Sequence, residues 1–83
     1  MKLRLSRHAK NNMRLYGITQ GDIRKAINSP DKSLTEGERQ IVMKSYPKRF
    51  SGFPVKVVFV KDNDGILVIT SYPLRGTYWR KRK

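Results

Sequence analysis

No cysteine occurs among the 83 residues, and there is one histidine and only six acids. Without cysteine there is no disulfide framework and no thiolate metal site, so stability rests on packing, and a reducing compartment is the simpler expectation. One histidine and scattered acids offer no cluster of metal ligands, which argues against a metal-assisted nuclease built on paired carboxylates. No Gly-x-Ser-x-Gly elbow is present for a serine hydrolase, and the glycines stand alone rather than forming a phosphate-cradling loop. No stretch approaches the roughly 18 apolar residues of a membrane span, and no apolar segment follows the charges of "MKLRLSRHAKNN". The expectation is a cytoplasmic protein with no cofactor and no membrane partner. The chain is also too short for two hydrophobic cores, so residues 1–79 are read as a single domain and 80–83 as a basic tail.

Positive charge is what the chain has in excess: 19 Lys and Arg against 6 acids, a net charge of +13. Segments 1–21, 39–61 and 65–83 carry no acid at all. Such a surface draws in polyanions at rates that fall with salt. Basic residues interleave with Tyr46, Phe50, Tyr72, Tyr78 and Trp79, as stacking on bases requires, which makes nucleic acid the expected main ligand. The plainer alternative is a basic protein that is merely soluble or that binds an acidic protein.

Leu3 and Leu5 alternate with basic residues and suggest a short opening strand. Ser6 is an N-cap for a helix over 7–16, with Ala9, Met13 and Tyr16 as its apolar stripe and Gly17 as its left-handed end. Thr19 and Asp22 make a capping box for a second helix, Ile18 and Ile23 a hydrophobic staple, and Pro30 stops the helix near Asn28. From Lys32 the period becomes that of strands: a short strand, a turn at "EGE", a strand over 39–46, the loop "PKRFSGFP", and strands near 55–61 and 66–72. "DNDG" joins the last two, because Asn and Gly tolerate positive φ. The expected fold is α+β, with two N-terminal helices packed on an antiparallel sheet of about four strands.

Metal-free cleavage of RNA is the chemistry this composition can carry. The substrate's own 2′-hydroxyl is the nucleophile, and the protein supplies a base, an acid and cations for the charge at phosphorus. His8 can carry a proton near neutral pH; Arg and Lys can hold the phosphate. His8 shares its side of the helix with Asn12 and Leu15, while Arg7, Lys10, Asn11 and Arg14 face outward, and it reads equally as a polar boundary residue. In "ITSY", residues 69–72, alternation puts Thr70 and Tyr72 on one face and Ile69 and Ser71 on the other. Such residues present a site, or simply favour strands. Trp79 either anchors the C-terminal segment or stacks on a base.

"SRHAKNNMRLYGITQGDIRKAINSP" followed by "VKVVFVKDNDGILVITSYP" resembles the bacterial DUF4258 family over roughly residues 5–73. The shared features are a Ser-x-His opening a helix, a later Arg, a Gly-Ile-Thr before a second helix, and an Ile-Thr-x-Tyr final strand. That family looks similar to the RelE-like and BrnT-like toxins and to the barnase, EndoU and colicin-type ribonucleases. The resemblance implies a RelE-like, microbial-ribonuclease-like fold and a site of His8 and Arg14 with Thr70 and Tyr72, and it makes Arg75 and Tyr78 the C-terminal counterparts of the toxins' essential residues.

The resulting expectation is a metal-independent endoribonuclease of toxin type. His8 is its acid or base, and Thr70 and Tyr72 orient substrate or relay protons. Arg14, Arg39, Lys56, Arg75, Tyr78 and Arg80 contact RNA or its phosphates. The alternatives are a non-catalytic nucleic-acid-binding module and a protein neutralised by an acidic antitoxin. Either a monomer or a weak homodimer through an unpaired strand edge is expected.

Overall fold

The computed structural model describes residues 2–46 and 48–74, with only the backbone of Ser51. Its elements in chain order are β1 (Leu3–Leu5), α1 (Arg7–Tyr16), α2 (Gln20–Asn28), β2 (Lys32–Glu36), β3 (Arg39–Lys44), a 3₁₀ turn (Phe50–Gly52), β4 (Val55–Asp62) and β5 (Gly65–Pro73).

Both helices begin at the polar caps that their sequences provide. The Ser6 hydroxyl accepts from the Ala9 amide at 3.0 Å, and α1 ends at Gly17, whose φ is 72°. In α2 the Thr19 hydroxyl accepts from the Asp22 amide at 3.1 Å while the Asp22 carboxylate accepts from the Thr19 amide at 2.9 Å. These reciprocal bonds satisfy amides that have no partner inside a helix.

The sheet is mixed and has five strands, in the order β1-β5-β4-β3-β2. This corrects the expectation of an antiparallel sheet of about four strands. Strands β2 to β5 do form an antiparallel meander, but β1 lies parallel to β5, with Leu3 opposite Ile66 and Leu5 opposite Val68. The cause is the route of the chain. The helical pair carries it from β1 to the far edge of the sheet, and the meander then returns to β1's side with β5 running in the same direction.

One face of the sheet is covered by the helices. Ala9, Ile18, Ile23 and Ala26 pack there on Val42, Val55, Val57, Phe59, Ile66 and Val68. Each Val, Ile or Phe side chain among them contributes about 1.5–3 kcal/mol when fully buried, so this layer holds the domain together. Ser71 lies in the same layer at 0 % exposure, and its hydroxyl has no partner among the described residues. A buried hydroxyl without a bond costs free energy that a methyl group does not. Ser71→Ala is therefore expected to raise stability by up to about 1 kcal/mol, read as a higher urea midpoint; a clear loss would mean that the hydroxyl does have a partner.

The long loop between β3 and β4 is fastened to the start of α2 by an ion pair that local pattern does not announce. Arg49 donates to both Asp22 carboxylate oxygens, at 2.6 and 2.8 Å, and its guanidinium lies 4.7 Å from the Phe50 ring centroid. The Tyr46 hydroxyl donates to the Asp22 carbonyl oxygen, and burial, aided by the Asp22 charge, pushes that phenol up to about 12. Burial pushes the Asp22 carboxyl up, but the hydrogen bonds from Arg49 and Thr19 and the Arg49 charge outweigh it and leave the group below its ordinary 3.8. A lowered carboxyl contributes stability that is fully present above its unfolded value and is lost as pH falls through its folded one. The stability gap between the wild type and Asp22→Asn is thus expected to be widest above about pH 5 and to close on acidification. Urea melts at several pH values check this, and a gap independent of pH would refute it.

Candidate functional site at the seam of α1 and β5

The site begins with an irregularity in β5. Its register with β4 shifts between Val58↔Thr70 and Phe59↔Val68, so Ile69 is an extra residue with no partner across the ladder. Before this bulge Ile66 and Val68 face the helices; after it, Ser71 takes that position. Thr70 and Tyr72 are thereby turned to the other face, in rows with Val58 and Lys56. Without the bulge, strict alternation from Val68 would send both polar side chains into the core. Thr70 and Tyr72 do share a face, as expected, whereas Ile69 stands outside the alternation instead of pairing with Ser71.

Helix α1 is docked on this bulge through its cap. The Ser6 amide donates to the Val68 carbonyl at 3.0 Å, and the Ser6 hydroxyl donates to the Ile69 carbonyl at 2.7 Å. One residue therefore caps the helix and also satisfies a carbonyl of the bulge. Further along α1, Asn12 Nδ2 donates to Thr70 Oγ1 at 3.2 Å. His8 lies one turn before Asn12 on the same side, where side chains four residues apart are about 6 Å from each other. It is exposed and makes no hydrogen bond or ion pair among the described residues. Across the sheet, Lys56 Nζ lies 5.7 Å from the centroid of the Tyr72 ring.

The structure thus places Thr70, Tyr72 and Lys56 on one face at the end of β5 and ties Asn12, one turn of α1 from His8, to Thr70. Asn12 is a residue that the sequence reading placed beside His8 without giving it a role. Its four-residue spacing from His8 was the available signal; its bond to Thr70, 58 residues away, was not. Two expected members lie elsewhere. Arg14 is exposed on α1, and six residues from His8 is about 120° around the helix, on the side away from Asn12's contact. Arg39 is on the face of Lys56 but four residues along β3 from Met43, the residue opposite Lys56, which is about 13 Å. It sits opposite Glu36 at the β2–β3 turn. Arg75, Tyr78 and Arg80 lie outside the described residues.

Next to the seam, the face of the sheet away from the helices holds a groove of about 560 Å³, lined by Lys32, Leu34, Ile41, Met43, Lys56 and Leu74 among others. Lys56 thus has the groove on one side and the Tyr72 ring on the other. Among the described residues there is no group of three or more His, Asp or Glu that could hold a metal ion, and no helix is long and apolar enough to cross a membrane.

Fold and site define a small α+β domain whose polar seam is made by a bulged strand and a capped helix. The chain belongs to the DUF4258 family, a domain of unknown function, whose model matches residues 5–73. The match runs from the last residue of β1 to the end of β5 and includes every residue of the seam. No curated protein and no solved structure matches the chain.

Proposed function

We propose that the domain is a metal-independent endoribonuclease of toxin type, with the α1–β5 seam as its active site. The Asn12–Thr70 hydrogen bond carries this reading, because it holds the side of α1 that bears His8 against the strand end that bears Tyr72. His8 takes the proton of the RNA 2′-hydroxyl. The 2′-oxygen then bonds to phosphorus, the bond to the 5′-oxygen breaks, and the leaving oxygen takes a proton from the Tyr72 hydroxyl. Lys56 beside the Tyr72 ring offsets the charge that develops at phosphorus. The net charge of +13 brings RNA to the site, and the same charge suits an acidic, antitoxin-like protein that would cover it. The cytoplasm is where both partners would be met.

Purified protein incubated with mixed RNA in EDTA is expected to give fragments with 2′,3′-cyclic phosphate ends. Strict dependence on a divalent ion would sink the mechanism. A second reading, a module that binds RNA without cutting it, is favoured by one observation: nothing among the described residues orients the His8 ring. Intact RNA bound alike by wild type and by His8→Ala is what that reading expects.

A further inference from the structure

Strand β2 is an outer strand of the sheet, and all of its residues, Lys32–Glu36, are exposed. It joins β3 through the two residues Gly37 and Glu38, with Glu36 opposite Arg39 and Gly37 at a φ of 62°. A two-residue hairpin closes on a hydrogen-bonded pair, so Glu36, Leu34 and Lys32 direct their backbone groups to β3. Ser33 and Thr35 therefore aim theirs outward. The hairpin of β4 and β5, which closes at Asp62 and Gly65, gives the same alternation when followed back across β3. Outward donors and acceptors on an exposed edge are a template for another strand.

We propose that this edge pairs with the β2 edge of a second copy of the chain, antiparallel and centred on Leu34. In that register Ser33 lies opposite Thr35 of the second copy, and the outward backbone groups of each satisfy those of the other. On the groove side, Lys32 faces Glu36 of the second copy and Glu36 faces its Lys32. Between them the two Leu34 side chains meet, each 47 % exposed in the single chain. Centring on Ser33 or Thr35 would put Leu34 opposite a charged residue and leave no Lys32–Glu36 pair. The arrangement is self-complementary, as a two-fold contact must be, and it makes the two grooves continuous, since Lys32 and Leu34 line each.

The contact is weak and reversible. A five-residue edge falls short of the roughly 1,200–2,000 Å² of a standard interface, and +13 on each copy opposes it. Sedimentation over a range of concentration up to millimolar tests the assignment. Lys32→Glu and Glu36→Lys each turn both cross-strand pairs repulsive and are expected to weaken self-association about tenfold. An equimolar mixture of the two variants restores both attractive pairs and is expected to associate at least as well as the wild type. Concentration-dependent protection from exchange is expected at the Ser33 and Thr35 amides but not at Leu34, whose amide already bonds β3. A wild type that stays monomeric throughout, or a mixture no better than its components, would overturn the proposal.

Discussion

Replacing His8 by alanine is expected to lower the rate of RNA cleavage by about a hundred- to ten-thousand-fold, the usual worth of a positioned acid or base, while leaving the fold intact. The second half follows from its position. His8 is exposed and holds no hydrogen bond among the described residues, and α1 keeps its Ser6 cap, its Asn12 bond and its buried Ala9. Alanine is in addition the best helix former. Affinity for uncut RNA should change by less than about 1 kcal/mol, because the phosphate term belongs to the many Lys and Arg. Tyr72→Phe is the informative companion, since it keeps a ring for Lys56 to lie over and removes only the hydroxyl. If that hydroxyl donates to the leaving oxygen, Tyr72→Phe loses rate with unchanged binding. End-group analysis of fragments and single-turnover rates in EDTA measure all of this. Cleavage by His8→Ala at the wild-type rate would remove His8 from the mechanism.

The parts of the fold legible in the sequence are those set by near neighbours. Ser6, Gly17, Thr19 and Asp22 act within one turn of their own positions, so the limits of α1 and α2 could be read from residue type alone. The parallel pairing of β1 could not, because it depends on where a meander of four further strands brings β5. Nor could the bulge at Ile69: "LVITSY" reads as unbroken alternation, and only the helix packing tells which side of Val68 is the inside. The turn "DNDG" shows the same limit on a smaller scale. Asn and Gly both tolerate positive φ, yet in this turn only Gly65 adopts it; Asn63 keeps an ordinary φ while the Asp62 carboxylate accepts from the Asp64 amide at 2.9 Å. For the site, the family resemblance put forward His8, Arg14, Thr70 and Tyr72 together and charge type put forward Arg39, and neither signal says which way a side chain faces. The bonds that decide placement, Asn12 to Thr70 and Arg49 to Asp22, link residues far apart in the chain.

Gly65→Ala is expected to be the most destabilising single-methyl change in the described part of the chain, at about 2–4 kcal/mol. Two effects coincide there. The backbone φ is +127°, a region that side chains with a Cβ rarely adopt, and the added carbon would lie 2.3 Å from the Lys2 carbonyl oxygen. That oxygen accepts from the Ile66 amide at 2.9 Å, the first bond that ties β1 to β5. The obstacle is backbone, so no rotamer change relieves it; either the turn or β1 must move. By the usual scaling for a domain of this size, about 4–8 °C per kcal/mol, the melting temperature should fall by at least about 8 °C. Gly37→Ala is the control: its φ is also positive, at 62°, but no atom lies within 4 Å of the added carbon, and its cost should stay near the 1–2 kcal/mol of the left-handed region. The difference between the two variants isolates the β1 contact. Because Ser6 follows β1 directly and anchors α1 on the bulge, Gly65→Ala should also speed amide exchange at Ser6 and Ile66, loosening His8 from the seam without touching it. If the two variants melt together, β1 does not hold the start of α1, and the seam's rigidity must come from the bonds of Ser6 and Asn12 to β5.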